Sequence, residues 1–122
     1  MESGTDAKLL RIFVSSTDKF KHIPVYEMIV HAAKRYKMSG ATVLKGVMGF
    51  GSTSNISSIK FWEITEKLPI IIEIVDEPDK INSFIESVKP FFDKIKNGCV
   101  ITVEDTKVVL FKTGVKKSKK GS

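Results

Sequence analysis

Gly49 and Gly51, set either side of Phe50, are the residues of this chain best placed for chemistry through the backbone. Without a Cβ, glycine lets the main chain approach a ligand closely and take positive φ, so that successive N–H groups can converge on an anion. The same Gly-Phe-Gly spacing also makes a plain turn at a strand end, and the residues by themselves leave both readings open. The glycines close the run GATVLKGVMGFG, Gly40 to Gly51, in which an apolar strand feeds the segment GSTSNISS, Gly51 to Ser58. That segment has Ile56 as its one sizeable apolar side chain, so burial cannot offset the entropy of ordering it. A rigid strand feeding such a loop commonly serves recognition.

Side-chain chemistry has less to work with. No Ser-His-Asp or Cys-His order has supporting context, and there is no Walker-type Gly-Lys-Ser/Thr. The acidic residues fall at helix starts or on exposed turns such as Glu104-Asp105. No catalytic residue is assigned, and an enzyme is not expected. His22 and His31 are the two histidines, and His31 shares a polar helix face with Glu27, Lys34 and Arg35. Clustered metal-ligand spacing is lacking, so no structural zinc site is expected. Cys99, the single cysteine, cannot form an internal disulfide; beside the strand-like VITV it is expected to be a buried, small apolar side chain in a reducing compartment.

The elements that must hold these residues follow from periodicity. Lys8 to Ser16 sets Leu10, Ile12 and Val14 against Leu9, Arg11 and Phe13, the alternation of a strand with one buried face. Pro24 opens a helix carrying Val25, Met28, Ile29, Ala32, Ala33 and Tyr36, with Gly40 as its expected C-terminal cap. Thr42 to Phe50 is the second strand, Ile59 to Ile64 its returning partner, and the β-branched run Leu68 to Val75 the centre of the sheet. Pro78 opens a second helix with Ile81, Phe84, Ile85 and Val88, which Pro90 is expected to kink or end. Phe91, Phe92 and Ile95 carry the apolar face on toward Gly98, a second cap candidate. Val100 to Val103 starts another strand, and Lys107 to Lys112 a further one. The expected class is α+β: a ferredoxin-like βαββαβ arrangement, an antiparallel sheet with two helices on one face and an extra C-terminal strand.

With 122 residues, 42% of them hydrophobic, the chain suits one core. Residues 1–7 are expected as a disordered extension, 8–114 as the domain and 115–122 as a basic disordered tail. No apolar run nears the ~20 residues of a membrane span and no signal-peptide pattern opens the chain, so a cytoplasmic protein is expected. The formal charge is +6, but Lys112, Lys116, Lys117, Lys119 and Lys120 lie in the last eleven residues, and Glu2 and Asp6 in the first seven. Taking away those five cations and two carboxylates leaves +3, too diffuse a footprint for a nucleic-acid duplex, so nucleic acid is not an expected partner.

Three segments in order carry a family resemblance. GATVLKGVMGFG resembles the second strand and loop start of PII-type signalling proteins and PII-like proteins, LPIIIEIV their third strand, and GCVITVEDTKVVLFKTG, Gly98 to Gly114, their fourth strand and Lys/Arg-Thr-Gly ending. The resemblance spans roughly Lys8 to Gly114. It implies a homotrimer whose intersubunit clefts bind adenine nucleotides and whose loops reach a partner protein, by analogy a membrane transporter. It implies that Gly40, Ala41 and Thr42 lie beside the adenine and that Gly49, Phe50 and Gly51 turn against the phosphates, with Ser52 following. It implies further that Glu73 and Val75 line the cleft from the neighbouring subunit, that Gly98 belongs to the same site, and that Lys112 stands where the family has a terminal arginine.

Departures from the family pattern narrow the ligand. Cys99 replaces a basic residue, Leu110 replaces the first arginine of a pair, and Ser52 and Thr53 follow the Gly-Phe-Gly. Each charged hydrogen bond is worth ~1.5–3 kcal/mol, so the loss of two cations favours AMP or ADP over a triphosphate. The loop has no tyrosine for nucleotidylylation. The alternative is a structural or metal-tolerance trimer similar to CutA proteins, which share the fold.

Overall fold

Ten residues, Asp6–Ser15, form β1, the strand on which the rest of the molecule is assembled. The structure is a computed structural model and describes residues 1–51, 57–58 and 67–115. After β1 come helix α1 (Val25–Arg35), β2 (Thr42–Lys45), β3 (Pro69–Asp76), α2 (Pro78–Lys94) and β4 (Val100–Lys107). The four strands pair antiparallel in the order β2-β3-β1-β4. This is the mixed, ferredoxin-like arrangement expected, with the two apolar central strands flanked by exposed edges.

The period-two patterns of the central strands set which face is covered. Leu10, Ile12 and Val14 of β1 and Ile70, Ile72 and Ile74 of β3 are buried. They meet Val25, Ile29 and Ala33 of α1 and Ile81, Phe84 and Val88 of α2, forming one core cluster. Each large apolar side chain enclosed there contributes about 1.5–3 kcal/mol before the ordering entropy is counted. On the opposite face Leu9, Phe13, Ile71 and Val75 are half-buried, and Leu44 and Val100 are exposed.

Several boundaries differ from the expectation, each for a reason that the packing supplies. Helix α1 ends at Arg35 with Tyr36 as its C-cap, well short of Gly40. Lys37 takes φ +59, its N–H donates to Lys34 O (3.0 Å), and Met38 N–H donates to Ala33 O (3.0 Å). These two bonds make a Schellman cap, which Met38 seals by packing on the core. Helix α2 runs through Pro90 to Lys94; the missing N–H does not end it, because Phe91 and Phe92 go on packing against the core. No strand forms at Lys107 to Lys112: Lys107 closes β4, and the residues after it have no partner strand among the described residues.

The first residues are tied down rather than free. Asp6 and Ala7 belong to β1, Gly4 N–H donates to Val108 O (2.6 Å), and Val108 N–H donates to Thr5 O (2.9 Å). Ser3 Oγ accepts from Phe111 N–H (2.8 Å). Two short ribbons complete the chain. Lys19–Phe20 pairs with Ile23–Pro24, and Met48–Gly49 pairs with Ser57–Ser58. The return expected at Ile59 to Ile64 and nearly all of the basic tail lie outside the described residues.

Candidate functional site

Asp76 organises the best-defined polar cluster of the molecule. It ends β3, is buried to 2% exposure, and takes the Ser39 N–H on Oδ2 (2.7 Å) and the Glu77 N–H on Oδ1 (2.8 Å). Ser39 Oγ also donates to Val75 O. The chain leaving the α1 cap is thereby fixed to the end of β3, and Gly40 and Ala41 are held out in solvent before Thr42 enters β2 opposite Glu73. A Cβ on Gly40 would meet nothing within 4 Å, so packing within the chain gives no reason for glycine there. Gly40, Ala41, Thr42, Glu73 and Val75 therefore come together, in a single chain.

Glu73 has a partner that periodicity did not show. Its Oε2 accepts from Arg11 Nε (2.8 Å), and Arg11 Nη1 donates to Glu104 Oε1 (2.7 Å). The hydrogen bond to Glu73 is the main cause that raises the Arg11 pKa above its ordinary value, with Glu104 adding to it and burial opposing. The network crosses β3, β1 and β4 on the face the helices leave open. The clue in the sequence was one lone charge of opposite sign inside each of two apolar strands, LLRIFV and PIIIEIV.

Gly49, the first glycine of the Gly-Phe-Gly, shares a packing role with Gly46. Gly46 N–H donates to Pro69 O (2.7 Å), and a Cβ on Gly46 would stand 2.5 Å from Pro69 Cγ. On Gly49 the same distance would be 3.0 Å. The two glycines thus fit over the Pro69 ring, and among the described glycines positive φ occurs at Gly4 rather than at Gly49. Gly49 serves close packing, and its backbone is not in the conformation of an anion nest. Gly46→Ala should therefore lower stability by about 1–3 kcal/mol through overpacking, read by urea denaturation; a wild-type midpoint would show that Pro69 yields freely.

The remaining candidates are spread apart. Phe50 is 74% exposed, Gly51 is exposed, and Ser52 lies outside the described residues. The register sets Lys8 opposite Asp76 and Ser15 opposite Pro69, so Gly40 to Thr42 sit at one end of the sheet and Gly49 to Gly51 at the other. Gly98 precedes β4, whose Val100 faces Phe13, and so belongs to the Pro69 end. Exposed Lys112 lies beyond Lys107, which faces Asp6, at the Gly40 end. Cys99 is exposed, not buried, because the chain there lies outside the core; partial burial first, then the charge of Asp18, pushes its thiol pKa up. A groove of about 330 Å³ between α1 and α2 is lined by Met28, Ala32, Arg35, Ser87 and neighbours, and by none of the candidate residues.

Comparison with known proteins agrees with this architecture. A UPF0166 protein of Aquifex aeolicus is 37% identical over 102 residues, which is 84% of this chain and 92% of that protein. A UPF0166 protein of Methanocaldococcus jannaschii is 34% identical over 102 residues, 84% and 91% of the two chains. Among solved structures, CPII from Thiomonas intermedia K12 bound to ADP and bicarbonate superposes with a TM-score of 0.62 at 19% identity, covering 87% of this chain and 91% of CPII. A protein of Thermus thermophilus designated PII-like gives 0.60 at 15% identity, covering 85% and 90%. At those identities the likeness is one of fold, and it matches the PII resemblance of the sequence. The profile of the DUF190 family (uncharacterized ACR, COG1993) matches residues 7–108, and the chain belongs to that family, on a PII-like fold.

Proposed function

We propose that this protein is a PII-like regulatory protein that binds AMP or ADP in clefts between the subunits of a homotrimer. In this reading it acts in the cytoplasm and engages a partner, a membrane transporter or another regulated protein, through the loop at 52–58. The observation that carries the reading is the exposed strip Gly40–Ala41–Thr42, fixed by the Asp76 clamp and free of any contact that would explain its glycine. An exposed backbone strip of this kind suits the edge and face of a purine base. CPII structures bound to ADP, or to ADP and AMP, support an adenine nucleotide as the ligand class.

Two features support assembly. The candidate residues fall at opposite ends of one sheet, so copies of the chain bring the two groups together where a single chain does not. The face opposite the helices carries Leu9, Phe13, Leu44, Ile71 and Val100, and a closed assembly gives it cover. Glu73, already engaged by Arg11, holds the strip's neighbouring strand and is no free base, which favours sensing over catalysis. Exposed Lys112 is the family-matched cation proposed for a phosphate, and a lysine there in place of an arginine fork favours a mono- or diphosphate.

A second reading, a CutA-like trimer without nucleotide, is favoured by the Pro69 contact, which explains Gly46 and Gly49 with no phosphate. One experiment separates them. Light scattering should give a trimer at micromolar concentration, and AMP or ADP at a hundredfold excess over its Kd should stabilise it by ~2.7 kcal/mol in a thermal melt. A monomer would overturn the intersubunit site. A trimer whose melt ignores AMP, ADP and ATP but shifts with copper or zinc would favour the second reading.

A further inference from the structure

The ribbon Lys19–Phe20/Ile23–Pro24 and the last turn of α2 form a corner that has no part in the nucleotide reading. Phe20 stands edge-on to Phe91 (centroids 5.4 Å apart) and Phe91 edge-on to Phe92 (5.5 Å), which fixes the ribbon against the helix. The Lys21 ammonium lies 5.4 Å from the Phe20 ring centroid. Lys19, Lys21 and His22 on the ribbon and Lys94 and Lys96 beyond it are exposed, and none of these lysines has an ion-pair partner among the described residues. Lys21 and His22 occupy the tip with φ +50 and +70, left-handed backbone that side chains bearing a Cβ seldom adopt. Beside them Ile23 is 48% exposed.

We propose that this corner docks on an anionic lipid surface. The combination selects that partner. A phosphodiester chain would satisfy the lysines and leave Ile23 in water, whereas a bilayer interface takes cations at the phosphate level and an apolar tip just beneath. Exposed Glu27 and Asp93 border the patch and moderate its charge, so the attachment is reversible and salt-sensitive. Docking here presents the Pro69 end of the sheet to the membrane, because Ser15, which leads into the ribbon, faces Pro69.

The test is co-sedimentation of the full chain with vesicles of phosphatidylcholine alone or mixed with phosphatidylserine. Binding is expected to the mixed vesicles only and to fall with salt. Each lysine near such a surface contributes about a fivefold factor, so Lys19→Gln/Lys21→Gln should lower binding about 25-fold. Ile23→Ser should weaken vesicle binding several-fold and leave binding to soluble heparin unchanged. Circular dichroism confirms folding, and Lys21→Gln alone gives a milder version of the same test. A variant with Lys116, Lys117, Lys119 and Lys120 changed to serine should still sediment. No sedimentation of the wild type overturns the proposal, as does loss confined to the tail variant. Binding that is insensitive to Ile23→Ser also overturns it, in favour of a general polyanion site.

Discussion

Asp76→Ala is expected to destabilise the protein by about 2–4 kcal/mol and to weaken nucleotide binding in the fraction that stays folded. The carboxylate is buried and accepts two backbone N–H groups, from Ser39 and Glu77. Alanine leaves both part-buried donors without their acceptor, and an unsatisfied donor costs about 1–3 kcal/mol, toward the lower end where water can reach it. The Ser39 side loosens the strip Gly40 to Thr42, and the Glu77 side loosens the start of α2. Urea denaturation measures the first effect and calorimetric titration with ADP the second. Asp76→Asn keeps one acceptor oxygen and should fall between alanine and the wild type. Wild-type stability in Asp76→Ala would mean that water replaces the clamp, and the strip would then owe its position to β2 pairing alone.

Phe84→Ala should cost about 3–5 kcal/mol, the largest single effect expected, with a different signature. Its side chain is among the largest that are fully enclosed, and its ring meets Tyr36 edge-on with centroids 5.7 Å apart. The deletion opens a cavity between the helices and the sheet, and also removes the support of Tyr36, the C-cap of α1. Nucleotide affinity of the folded fraction should be preserved, since Phe84 lies beneath the helices and away from the Gly40 strip. Equal losses of stability and affinity would show that the core and the strip are mechanically one unit.

The parts of the fold that were legible in the sequence are those whose pattern is local. The alternation of Leu10, Ile12 and Val14 and the helical beat of Ile81, Phe84 and Val88 match the buried residues. The ends of elements were less legible, since each was settled by a partner out of local view. Lys37 accepts a left-handed backbone because Met38 can then reach the core, so Gly40 was not needed as a cap. Val109 and Leu110 have strand-like side chains but no neighbour among the described residues to pair with. Ser3 is held by Phe111, 108 residues away, and no local pattern announces such a bond. The same distinction runs through the site. Gly40 and Thr42 stood out through resemblance to a family, while Asp76 and Arg11 owe their roles to strands that meet only in the fold.

The central position of β1 also has a consequence in time. Its Arg11 is joined to Glu73, 62 residues later, and to Glu104, 93 residues later. Both hydrogen-bonding edges of the strand made first are thus reserved for strands made much later. At roughly 5–20 residues per second of synthesis, about 5–20 s separate the appearance of β1 from that of β4. Until β3 follows, roughly 3–12 s after β1 at that rate, Leu9, Leu10, Ile12 and Phe13 have no strand to pair with, and closing such long loops places folding among the slower topologies. During synthesis, the segment most exposed to misassociation or chaperone capture is therefore the one that ends at the centre of the sheet.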